Sequence, residues 1–96
     1  MSGKLNTASI SAWLKEHEGW KRKSNRIMKD FELGSFRDSI VFVNRIATLA
    51  DTADHHPDID IRYDSVQITL STHDAGGITQ KDLKLAEQID FATSTN

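Results

Sequence analysis

The chain has 96 residues, with 12 basic against 14 acidic side chains for a net charge of −2, and it contains no cysteine. This length makes one small domain, residues 1–96, with a thin core; balanced charge leaves no basic footprint for nucleic acid, and the lack of thiols excludes disulfides and thiolate metal centres. No apolar run approaches membrane-spanning length and the N-terminus lacks the apolar core of a signal peptide, so a soluble, cytoplasmic protein is expected.

Asn6 can cap a first helix, because its short polar side chain can accept from the unpaired N–H groups of the first turn. Ile10, Trp13, Leu14 and His17 follow at i, i+3, i+4 and i+7, which is one helical face, and Gly19 ends it. Trp20 to Lys23 and Arg26 to Leu33 read as two strands around a Ser24-Asn25 turn. Ile27, Phe31 and Leu33 share a face that Lys29 interrupts. Gly34-Ser35 breaks the second strand, and Ser35 with Asp38 resembles a capping box in which Asp replaces the usual Glu. A long helix, Phe36 to Asp51, then carries two apolar stripes. Phe36, Ile40, Val43, Ala47 and Ala50 form one; Phe42, Ile46 and Leu49 form the other. A surface helix needs only one stripe. The first is therefore expected to face the protein's own sheet and the second to be covered by another subunit.

Pro57 closes the helix exit. Ile59, Ile61 and Tyr63 alternate with polar residues, as do Val66, Ile68 and Leu70, and Asp64-Ser65 between them reads as a two-residue hairpin turn, with Tyr63 a candidate core residue. Gly76-Gly77 makes a flexible loop. Thr79 and Asp82 form a second cap pair, opening a last helix through Leu83, Leu85, Ala86 and Ile89, and the tail Thr93-Ser94-Thr95-Asn96 is expected to fray. The order α-β-β-α-β-β-α describes an α+β two-layer sandwich, a four-stranded antiparallel sheet with helices on one face.

Between Asp51 and Asp82 the chain concentrates three of its 4 histidines, His55, His56 and His73, among carboxylates. Imidazole is the side chain best suited to exchange protons near neutral pH, so proton-transfer chemistry is one reading and a metal site is the other. Zinc would need three converging ligands, yet adjacent His55 and His56 project in different directions, and neither HExxH nor any i, i+4 histidine pair is present. No serine sits in a nucleophile elbow, and Gly76-Gly77 lacks the spacing and lysine of a phosphate loop. His17 reads as a surface or capping residue. Asp51 and Asp54 can solvate the helix end, although carboxylates there oppose the helix dipole. Asp82 reads as the third residue of a capped helix. Residue types and spacing thus reach an acid/base site on a small α+β domain.

The pattern Asp51-x3-His55-His56-Pro57-x5-Tyr63-x9-His73-x8-Asp82 closely resembles the signature of the pterin-4a-carbinolamine dehydratases. The segments Asp54-His55-His56-Pro57-Asp58 and Thr69-Leu70-Ser71-Thr72-His73-Asp74 are similar to that family almost letter for letter, and the likeness extends through Gly19-Trp20, Phe42-Val43-Asn44-Arg45 and the last helix. The resemblance implies dehydration of 4a-hydroxytetrahydropterin to quinonoid dihydropterin, a step in tetrahydrobiopterin recycling, with no metal and no bound cofactor. It implies assembly into dimers or tetramers. It implies a catalytic set of His55, His56 and His73, with His55 and His73 as the proton-transfer pair and His56 for binding and orientation. Asp51, Asp54, Ser71, Thr72, Asp74 and Asp82 would border the pterin, and Trp20 its rim. Asp51 stands where the family commonly has Glu. The competing expectations are a non-catalytic dimerisation module and a related role in molybdopterin metabolism.

Overall fold

The computed structural model describes residues 3–94. Three helices and four strands follow in the order α1 (Thr7–Glu16), β1 (Lys21–Lys23), β2 (Arg26–Glu32), α2 (Phe36–Ala53), β3 (Asp58–Arg62), β4 (Ser65–Leu70) and α3 (Gln80–Ser94), with a single 3-10 turn at His73–Ala75. This is the expected α-β-β-α-β-β-α order. The strands form one antiparallel sheet in the spatial order β1-β2-β4-β3, so β4, the strand that leads to His73, is central.

The sheet is two-faced because strand side chains alternate. Ile27 and Phe31 of β2 and Val66, Ile68 and Leu70 of β4 point to the helices and are buried. They meet Phe42, Ile46 and Ala50 of α2 and Leu83, Leu85, Ala86 and Ile89 of α3. Lys29 lies between Ile27 and Phe31 on this same face. Its stem crosses Phe31, with Nζ 4.9 Å from the ring centroid, and its ammonium pairs with Asp90 at 2.8 Å. The interrupting charge thus reaches the margin of the core and is paired there, as a long basic side chain can. Gly19 makes room for it: a Cβ at this position would lie 2.8 Å from Lys29 Cε, and the backbone has φ +94°.

Local signals explain the helix starts. Asn6 Oδ1 accepts from Ser9 N–H at 2.8 Å, and Ser35 Oγ from Asp38 N–H at 3.0 Å. His17 is the C-cap of α1, its ring stacked on Trp13 at 4.0 Å.

Five expectations are corrected. The stripes of α2 are largely exchanged: Phe42 and Ile46 are sealed against the sheet and Leu49 is half-buried, whereas Phe36 is 51% exposed, Ile40 and Val43 are half-buried and Ala47 is exposed, with Ala50 alone of the first stripe buried. Both stripes satisfy helical periodicity, and only packing decides which one the sheet takes. The β3–β4 turn is Tyr63-Asp64, not Asp64-Ser65, since Arg62 pairs with Ser65. Tyr63 adopts φ +55° and is 70% exposed, so it is no core residue. Helix α2 runs past Asp51 to Ala53, because Asp54 supplies the left-handed C-cap. Thr93 and Ser94 continue α3, Thr93 Oγ1 donating to the Asp90 carbonyl at 2.7 Å; the rest of the expected frayed tail, Thr95 and Asn96, lies outside the described residues.

Candidate active site

The site is built where α2 ends, β4 ends and α3 begins. Asp54 takes φ 51°, ψ 43°, a left-handed conformation that Asp tolerates better than most residues. The His55 N–H then reaches back to the Ala50 carbonyl at 3.1 Å, closing the helix in the Schellman manner. This reversal sends the two adjacent imidazoles apart. The His55 side chain turns inward and is 11% exposed; the His56 side chain is 58% exposed.

His55 Nε2 lies 2.6 Å from Asp82 Oδ1, and the Asp82 side chain is wholly buried. The other carboxylate oxygen accepts twice, from the Thr79 N–H at 2.9 Å and from the Thr72 hydroxyl at 2.8 Å. The Thr79 hydroxyl is 2.7 Å from Thr72 Oγ1 and itself accepts from the Lys81 N–H at 3.2 Å. Since the Thr72 proton goes to Asp82, the Thr79 proton goes to Thr72. A directed chain results, from Lys81 N–H through the two hydroxyls to Asp82. Every partner of the carboxylate is then a donor, so His55 donates from Nε2; a neutral imidazole in this orientation carries its lone pair on Nδ1. Such a buried network costs little only when each member is satisfied, and among the described residues no buried side-chain polar atom lacks a partner.

Asp82 therefore meets the helix-cap reading offered for it and also contacts a histidine. It is the third helical residue, capping α3 through Thr79, and it orients His55. Thr72 is equally constrained: its N–H bonds to Gly77 O at 2.8 Å and Gly77 N–H returns to Thr72 O at 3.3 Å. That pair closes a small loop, with Gly76 left-handed at φ 73°, which holds out His73 and Asp74, both exposed. His73 thus follows immediately on a residue bonded to the carboxylate that holds His55.

The remaining candidates divide by place. His56 Nε2 bonds to Asp51 Oδ1 at 2.9 Å on the exposed rim, and Asp54 is exposed beside them. Ser71 is half-buried at the end of β4. Trp20 stands apart in the core, with its indole N–H on Asp90 at 2.9 Å. A cavity of about 360 Å³ opens next to His55 between α2 and α3, lined by Leu49, Thr52, Ala53, Lys81, Lys84, Leu85 and Gln88. Sequence reasoning did not single out Thr79 as more than a cap, nor Lys81 and Lys84; the available signal was their helical spacing on the face that carries Leu85. Among the described residues no group of three His, Asp or Glu side chains could hold a metal, and no helix is long and apolar enough to cross a membrane.

Comparison with known proteins places the chain in a family and matches its fold. The family model described as pterin 4 alpha carbinolamine dehydratase matches residues 3–92. A protein of Roseiflexus sp. strain RS-1, provisionally named a pterin-4-alpha-carbinolamine dehydratase, is 52% identical over 90 residues, covering 94% of this chain and 97% of that one. A counterpart with the same provisional name from Thermomicrobium roseum is 44% identical over 86 residues, covering 90% of this chain and 92% of its own. Among solved structures, a transcriptional coactivator/pterin dehydratase from Brucella melitensis superposes with a TM-score of 0.92 at 26% identity, covering 96% of this chain and 100% of that one. A pterin dehydratase-like RuBisCO assembly factor of the alpha-carboxysome shares the fold at a TM-score of 0.67 and 24% identity, over 83% of this chain and 95% of its own.

Proposed function

Because this chain belongs to the pterin 4 alpha carbinolamine dehydratase family, we propose that it dehydrates a 4a-hydroxytetrahydropterin to the quinonoid dihydropterin, a step that recycles tetrahydrobiopterin. The observation that carries this reading is the buried His55–Asp82 pair beside a cavity of small-molecule size. The reaction breaks the bond from C4a to its hydroxyl and removes the proton on N5; hydroxide leaves as water once protonated. One group must give a proton and another must take one. An imidazole held through Nε2–H by a carboxylate is set to accept at Nδ1, because the carboxylate stabilises the imidazolium that forms. His55 is accordingly assigned as the base that takes the N5 proton. His73, on the exposed loop one residue beyond Thr72, is assigned as the acid that delivers a proton to the departing hydroxyl. Each transfer of this kind typically contributes about 10²–10⁴-fold. His56 and Asp51 border the pterin on the rim. The protein works as a homo-oligomer, and the half-exposed stripe of α2 supports this.

The direct test is stopped-flow decay of a 4a-hydroxytetrahydropterin with and without the protein. Acceleration of quinonoid product, first order in protein, is expected. A decay identical to the uncatalysed one would overturn the assignment.

A further inference from the structure

The cavity beside His55 carries more positive charge than a pterin ring requires. Lys81, Lys84 and Gln88 recur at i, i+3 and i+7 on the face of α3 that borders the cavity, and no carboxylate lines it. Like charges so placed oppose helix formation, and the N-terminal end of α3 adds the positive end of its dipole. The acids that could neutralise them are engaged elsewhere. Asp82 is held by His55, Thr72 and Thr79. Glu87 accepts from the Trp13 indole at 2.8 Å, and Asp51 bonds to His56. Among the described residues neither Lys81 nor Lys84 forms an ion pair. The opposite wall, Leu49, Thr52 and Ala53, is uncharged and offers no counter-charge.

The pterin ring of the proposed reaction is neutral, so the two ammonium groups answer to a substituent. We propose that the substrate carries a short anionic side chain, a phosphate monoester, seated over Lys81 and Lys84 while the ring meets His55. This rests on the dehydratase reading and narrows its substrate. A lysine binds phosphate as a point charge, and two neighbouring ammonium groups match the roughly −1.5 to −2 charge of a phosphate monoester better than the single charge of a carboxylate. The cavity, about 360 Å³, lies at the small end of ligand sites; it suits a bicyclic ring with a compact substituent rather than a long tail.

The test uses the full chain in three forms: unmodified, Lys84→Gln and Lys84→Arg. Lys84 is exposed, so all three should fold alike. Inorganic phosphate at low ionic strength should shift the NMR signals of Lys81, Lys84 and His55. Lys84→Gln should weaken that binding about fivefold or more, and Lys84→Arg should restore most of it. Dehydration is then compared on three 4a-hydroxytetrahydropterins whose side chains end in a hydroxyl, its phosphate ester or a carboxylate. The unmodified chain should show about tenfold higher kcat/KM on the phosphate ester than on the neutral compound, declining with added salt. Lys84→Gln should bring that ratio close to one. Equal kcat/KM on all three, or a phosphate preference that Lys84→Gln leaves intact, would overturn the proposal; so would a carboxylate preference. If no pterin is dehydrated while phosphate still binds at Lys84, the dehydratase reading falls and the anion site stands. If the neutral pterin is dehydrated but phosphate does not bind, the anion site falls.

Discussion

Asp82 shares its two carboxylate oxygens between an imidazole and a helix start: Oδ1 meets His55 Nε2 at 2.6 Å, and Oδ2 accepts the Thr79 N–H at 2.9 Å. The group that orients the proposed base is thus also the group that begins α3.

Asp82→Asn separates the two roles. The amide oxygen can still accept from Thr79 and Thr72, but the amide nitrogen then faces His55 and turns it into an acceptor. The imidazole must carry its proton on Nδ1, the wrong tautomer for a base there. Loss of about 10³–10⁴ in kcat is expected, by analogy with the tautomer reversal known for a serine-protease triad. Stability should fall by only about 1–2 kcal/mol, since most hydrogen bonds survive. Stopped-flow kinetics and urea unfolding on one preparation check both halves; a fall in stability that accounts for all lost activity would refute the orienting role.

His55 and His73 should separate in the same two measurements. Either residue changed to Ala should lower dehydration about 10²–10⁴-fold, and the double variant should lose much less than the product of the two, as groups that act as a unit do. His55→Ala also strands a buried carboxylate and should cost about 1–3 kcal/mol. His73→Ala removes an exposed ring and should leave the urea midpoint unchanged. Equal destabilisation by both would contradict the exposed placement of His73.

The exchanged stripes of α2 make a pair of contrasting variants. Ile46 has no exposed surface, so Ile46→Glu buries a charge in the core. Its cost, about 4 kcal/mol or more, is a large share of the roughly 5–15 kcal/mol that keeps such a domain folded. Loss of far-UV ellipticity is expected. Val43→Glu falls on the half-buried stripe and should keep the fold while shifting the particle to a smaller species in sedimentation velocity at micromolar concentration. An unmodified protein that already sediments as a monomer would leave that stripe without its proposed partner.

Chelation should not touch activity. His55 Nε2 is committed to Asp82 and His56 Nε2 to Asp51, so the imidazoles diverge instead of sharing an ion. Prolonged dialysis against EDTA should leave kcat within error. Stoichiometric zinc whose removal and return track activity would reverse this reading.

Much of this architecture was readable from the chain because its signals are local. Asn6, Ser35 and Thr79 mark helix starts through bonds made within three residues, and the alternation of Val66, Ile68 and Leu70 marks a strand with one buried face. What escaped depends on partners far along the chain. The two stripes of α2 obey the same period, and choosing between them needs the sheet. Tyr63 takes a left-handed turn position that Asn or Gly usually signals, which displaced the hairpin turn by one residue. Lys29 read as an interruption because its partner, Asp90, lies on another element. At the site, the Thr79–Asp82 spacing was recognised as a cap, and His55 as a proton carrier. Their union spans 27 positions, and no local pattern encodes it.

The loop from Thr72 to Gly77 closes on itself through a reciprocal backbone pair, and this insulates whatever it carries. Residues 73–76 can be exchanged without breaking a bond in the sheet or in α3, whereas every change around Asp82 is felt by the fold. Natural variation can therefore retire or retune the chemistry proposed for His73 cheaply while the architecture persists. If His73 acts as proposed, a lineage built on this scaffold can lose catalysis through one loop position and survive as an intact, bindable shape.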